Sequence, residues 1–159
     1  MKFIYPFFKW ANNTWVATTI NDSKWIFPAL EGVHIVALAL LLGAIFVLNL
    51  RLMGVVMPGR SLPRLARELQ PWTLCSLIII LVTGALLFAS EAMKSFSSAP
   101  FRLKMVLLFT ALVFHYTITK RMTLKEDLQL PPMLVKAAAV IAITLWVSVG
   151  FAGRAIGFF

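Results

Sequence analysis

Four apolar stretches, each near the length that crosses a bilayer as a helix, constrain this chain more than any other feature. They run from about Ile26 to Leu50, Trp72 to Ser90, Phe101 to Thr119 and Met133 to Gly153. A hydrocarbon core about 30 Å thick takes about 20 helical residues. Inside lipid every backbone N–H and C=O must be satisfied within the protein, so each stretch reads as a transmembrane helix. The composition agrees. Hydrophobic residues make up 60% of the 159 and charged ones 13%, too little polar surface to cover a water-soluble domain of this size. The expected fold class is all-α: an integral membrane antiparallel four-helix bundle over residues 25–159, after an N-terminal interfacial segment, 1–24. Short connections make neighbouring spans antiparallel.

Residues 1–24 mix Phe7, Phe8, Trp10 and Trp15 with Lys2, Lys9, Asn12, Asn13 and Asp22. That is too broken to span and suits the headgroup region, where amphipathic aromatics collect. Met1–Trp10 contains Pro6 and Lys9 and lacks a small-residue cleavage site, so it does not read as a cleaved signal. The stretch 51–71 is expected to be a loop, with Pro58, Gly59 and Pro63 as breakers. Pro131 and Pro132 open the fourth span, and Ala39–Gly43 and Gly153–Gly157 are small-residue pairs that permit close helix approach.

The formal net charge is +9. No basic aromatic module accompanies it, so nucleic acid is not an expected partner; lipid headgroups are. One side of the bundle carries Arg51, Arg60, Arg64, Arg67, Lys120, Arg121, Lys125 and Lys136. The other carries Lys2, Lys9, Lys24, Lys94, Arg102, Lys104 and Arg154. Arg102, Lys104 and Arg154 lie in or beside spans; setting them aside leaves eight against four. The positive-inside rule then predicts that both termini lie outside the cytoplasm. Cys75, the single cysteine, precludes an intrachain disulfide and reads as a packing residue.

Ionisable groups within spans are costly and mark function by default. Here they are Glu31, His34, Lys104, His115 and Arg154, with Glu91 at a span end. Glu31 and His34 are three apart and share a helix face. In the antiparallel arrangement Glu31, His34, Glu91, Lys104 and Arg154 all fall in the outer half. They define a candidate ligand or ion cluster, in which Glu31 or Glu91 pairs with Lys104 or Arg154. The seven methionines are scattered and read as packing rather than a copper site.

Glu31, His34 and His115 are the candidate haem or metal ligands. Glu-x-x-His is one half of a carboxylate-bridged di-iron motif, but the second copy and the extra acids are missing. Two histidines in a four-helix bundle invite a haem b reading. The depths oppose a shared iron: His34 and His115 are offset by about 12 Å at 1.5 Å per residue. No nucleophile elbow, His-Glu-x-x-His or phosphate loop is present, so a non-enzymatic role is expected, and Thr83-Gly84 reads as a packing or bending site.

The strings WIFPALEGVHIVALALLLGAIFVLNLRLMG (25–54), TGALLF (83–88), FRLKMVLL (101–108) and LWVSVGFAGRAIGF (145–158) resemble an uncharacterised family of small bacterial four-span membrane proteins. That family carries Glu-x-x-His in its first span, a DLRLLG-like end and Gly-Arg in its last span. Asn49 stands where Asp is common, and Ala155 where an aromatic is common. The resemblance implies that Glu31, His34, Lys104 and Arg154 fall at motif positions, and implies a bacterial inner membrane. It assigns no activity. A looser likeness to copper-resistance D-type and cytochrome b-like four-helix proteins is fold-level analogy.

Three functions follow as expectations. The first is a membrane module whose outer polar cluster binds a small ligand, ion or partner subunit. The second is a haem b or quinone-associated electron-transfer subunit. The third is a metal or proton transporter, disfavoured for one copy because polar groups do not line the whole depth. A homo-oligomer or a larger membrane complex fits each of them.

Overall fold

The computed structural model describes residues 5–124 and 131–155. Every regular element among them is helical: α1 Tyr5–Asn12, α2 Trp15–Asp22, α3 Ile26–Leu52, α4 Leu62–Ser90, α5 Ala92–Ser97, α6 Ala99–Phe114, a π-helical turn His115–Thr119, α7 Lys120–Leu124 and α8 Pro132–Ala155. The four long apolar helices hold 27, 29, 26 and 24 residues, counting Ala99–Leu124 as one rod. At 1.5 Å per residue that is about 36–44 Å, so their ends reach past the hydrocarbon into the headgroups. Helices of this length and hydropathy make the chain a multi-pass membrane protein.

α3 packs on α4 and α8, α6 packs on α8, and α7 packs on α4. Hence α3 and α6 face each other across the bundle, with α4 and α8 between them. The centre is dry. Leu41, Ile45, Leu77, Ile80, Trp146 and Val149 meet there with Ala37 and Ala111. Ala138, Ala139 and Ala142 are buried on α8, where small side chains let backbones approach. Val36, Leu40, Val82, Phe109 and Phe151 are exposed, as lipid-facing side chains are.

The second span begins earlier than the sequence suggested. Pro63, expected to break structure, starts α4 instead; a first-turn proline loses no helical hydrogen bond. Pro71 falls inside α4 and forgoes one intrahelical donor there. The remaining connection is held by Arg51, which donates to the carbonyls of Arg60 (2.6 Å) and Pro58 (3.3 Å). Arg60 and Arg64 both pair with Glu68 at 3.2 Å.

Residues 5–22 form a helical pair docked on the opposite end, called the near end below. Phe8 meets Phe88 edge-on at 5.2 Å, Phe88 stacks on Phe101 at 5.4 Å, and Asn21 donates to the Ser90 carbonyl at 3.0 Å. Ala17 and Ala92 are fully buried. Trp10, Trp15 and Trp25 point outward, a belt suited to headgroups. Lys2 and Lys125, named above in the charge count, and Gly157, named as a packing residue, lie outside the described residues.

Candidate functional site

Each of the four spans contributes one element to a polar cluster in the near half. His34 comes from α3, Thr83 and Gly84 from α4, Lys104 from α6 and Gly153 from α8. Counted from the near-end helix termini, they lie about 12, 10, 9, 8 and 3 Å deep at 1.5 Å per residue. His34 Nδ1 is 2.8 Å from Thr83 Oγ1, a bond from α3 to α4. Thr83 Oγ1 also donates to the Ile79 carbonyl at 2.7 Å. The His34 ring lies against α4 at Gly84: a Cβ there would sit 3.4 Å from His34 Cε1. Across the bundle the Lys104 ammonium rests on α8 in the same way, 3.4 Å from where a Cβ of Gly153 would be. Two long polar side chains from one diagonal thus lie on glycines of the other.

The remaining candidate residues sit elsewhere. Glu31 is exposed on the flank of α3 and makes no hydrogen bond or ion pair among the described residues. Glu91, at the N-cap of α5, pairs with Lys94 of that helix at 3.6 Å. Arg154 follows Gly153 but is exposed. His115 is buried in the π-helical turn, edge-on to Trp146 with ring centroids 6.4 Å apart, and Nδ1 has no hydrogen-bond partner among the described residues. It lies 16 residues into the third span, against 8 for His34 in the first, a depth difference of about 12 Å. The dry centre lies between them, so one haem iron cannot take both. Among the described residues no group of three or more His, Cys, Asp or Glu comes together to hold a metal ion.

Thr83 and Gly84 are the site residues that sequence reasoning passed over. The pair was visible as a Thr-Gly step in an apolar span; that His34 pairs with it is a matter of helix register.

Four spans with a polar cluster inside the membrane define a small integral membrane protein. The chain belongs to a family of unknown function (DUF6644), whose model matches residues 7–159. No curated protein and no solved structure matches the chain.

Proposed function

We propose that the protein is a membrane-embedded binding module whose near-half cluster takes a small ligand carrying an anionic or hydrogen-bond-accepting group. The observation that carries this is Lys104. Its ammonium is partly buried in a transmembrane helix, and no carboxylate pairs with it among the described residues. A cation in a span normally pairs with an acid or a carbonyl; here the ammonium lies over the glycine surface of α8 at Gly153. An acceptor supplied by a ligand completes the site. The dry centre argues against conduction through one copy. We place the protein in a bacterial plasma membrane, as the family resemblance implies, with both termini outside the cytoplasm on the eight-against-four bias of Lys and Arg.

A second reading is a haem b or quinone-associated subunit. It is favoured by His34, whose one ring nitrogen is held by Thr83, as ligating histidines are held by a hydrogen bond through the other nitrogen.

Optical spectra and mass analysis of protein purified after expression with haem supply separate the two. The first reading expects no Soret band and a co-purifying small acidic or acceptor-bearing molecule that Lys104→Gln loses. A Soret band abolished by His34→Ala would establish the haem reading instead. An identical small-molecule content in wild type and Lys104→Gln would refute the Lys104 site.

A further inference from the structure

At the far end, opposite the docked helical pair, the first turns of α4 stand outside the hydrocarbon. About 20 helical residues cross it; counted back from Ser90 they reach Pro71, which leaves residues 62–70 beyond the boundary. Trp72, exposed on the same helix, marks that boundary, where tryptophan collects. Residues 62–70 are two-faced: Pro63, Leu65 and Ala66 are buried, while Arg64, Arg67 and Glu68 are exposed. Those three side chains, with Ser61 and Pro63, line an open hollow of about 430 Å³. One Glu68 oxygen accepts from Arg60 and the other from Arg64, each at 3.2 Å. Arg64 uses its Nε for that bond, and its Nη groups have no partner among the described residues. Arg67 makes no hydrogen bond or ion pair among them. Arg51 fixes the rim by donating to the Arg60 carbonyl. Arg60, Arg64 and Arg67 set three positive charges against the one negative charge of Glu68, which leaves +2.

We propose that this hollow binds the headgroup of an anionic phospholipid, whose phosphate oxygens accept from Arg64 and Arg67. The site is separate from the near-half cluster and does not depend on it. Three observations point to this occupant. The first is donor chemistry. Arg64 and Arg67 are three apart and share a helix face, and guanidinium N–H groups match phosphate oxygens in pairs. The second is charge. A zwitterionic headgroup brings an ammonium that the +2 hollow repels; phosphatidylglycerol brings the phosphate charge alone. The third is level. Arg67 and Arg64 lie five and eight residues beyond Trp72, about 8 and 12 Å at 1.5 Å per residue. The headgroup layer reaches about 5–8 Å beyond the hydrocarbon, and arginine's long side chain extends toward it. Acyl chains hold a lipid phosphate at that level, which raises its effective concentration over dissolved phosphate.

Full-length protein in nanodiscs of equal phosphatidylcholine and phosphatidylglycerol, released in a native mass spectrometer, reports which lipid stays bound. Phosphatidylglycerol is expected to be retained over phosphatidylcholine. An arginine near an anionic headgroup contributes about 1 kcal/mol, so Arg64→Gln or Arg67→Gln is expected to lower that preference about fivefold. Arg67→Gln is the decisive variant, since it breaks no ion pair and alters an exposed position, where substitutions leave folding nearly unchanged. Arg121→Gln, exposed at the same end on α7, leaves the preference as it is. Equal retention of the two lipids overturns the site. So does a loss in Arg121→Gln as large as in Arg67→Gln, because the basic end then attracts headgroups only diffusely. Glycerol 3-phosphate added to the nanodiscs separates the two sources of phosphate. No displacement of phosphatidylglycerol at millimolar concentration is expected; displacement assigns the hollow to a dissolved phosphate and overturns the lipid.

Discussion

Leu40 and Leu41 are neighbours in the chain but face different surroundings: Leu41 is 1% exposed in the dry centre, and Leu40 is 49% exposed on the outside of the bundle. Truncating each to alanine separates packing from solvation. In a water-soluble core Leu→Ala costs about 2.7–5.0 kcal/mol. Roughly 2.4 kcal/mol of that is transfer of three carbons out of water at about 0.8 kcal/mol each. Helices that separate inside a bilayer or micelle expose Leu41 to acyl chains, not water, so the transfer part largely vanishes. What remains is the lost contacts and the cavity, about 0.3–2.6 kcal/mol. Leu41→Ala is therefore expected to cost about 1–2 kcal/mol, and Leu40→Ala less than about 0.5 kcal/mol, as for a surface site. Reversible unfolding in mixed micelles, titrated with a denaturing detergent, measures both. Equal losses at the two positions would refute the assignment of faces to α3. A Leu41→Ala loss near 5 kcal/mol would refute the argument that lipid is the reference medium.

Asn49 is fully buried and donates to the Ile45 carbonyl at 2.8 Å, while Oδ1 has no partner. Asn49→Leu removes that orphan acceptor and should leave unfolding stability unchanged or raise it by up to about 1 kcal/mol; a loss above about 2 kcal/mol would mean that Oδ1 is satisfied in the membrane. In a Cys75→Ala background, Ser61→Cys should react with a membrane-impermeant maleimide only after cells are opened, and Thr19→Cys in intact cells; the reverse pattern would overturn the proposed orientation.

The hydropathy blocks made the four spans legible, because lipid allows little else. Their boundaries were less legible where proline has two meanings: Pro63 breaks structure in a loop or starts a helix, and only the packing of Leu65 and Ala66, both buried, shows which. The two N-terminal helices were hidden because their contacts are long-range, from Phe8 to Phe88 and from Asn21 to Ser90. At the site, His34 and Lys104 stood out as ionisable groups in apolar helices. The spacing of Glu31 and His34 misled. Residues three apart differ by about 60° around a helix at 3.6 residues per turn. That turn leaves His34 half-buried against α4 and Glu31 exposed on the flank. Glycines 84 and 153 carry no chemistry of their own, so only the fold shows that His34 and Lys104 rest on them.

Polar groups occur at both ends of the bundle, and their bonding distinguishes the two ends. Toward the far end Asn49 Nδ2 donates to Ile45 and Thr123 to Lys120. Both bonds stay within one rod, as buried polar side chains do when they answer only to their own backbone. In the near half the bond runs between spans, from His34 on α3 to Thr83 on α4, and Lys104 of α6 lies on α8. Bonds of the first kind survive any rearrangement of the helices. Those of the second kind exist only while the spans hold their present register. A ligand held where two spans meet would therefore stabilise the assembled bundle by mass action, by RT ln(1 + [L]/Kd). The far-end groups offer no such leverage. An apolar layer of Leu41, Ile45, Leu77, Ile80 and Trp146 lies between the two levels. On the reading proposed above, binding belongs to the near half and the far half is scaffold.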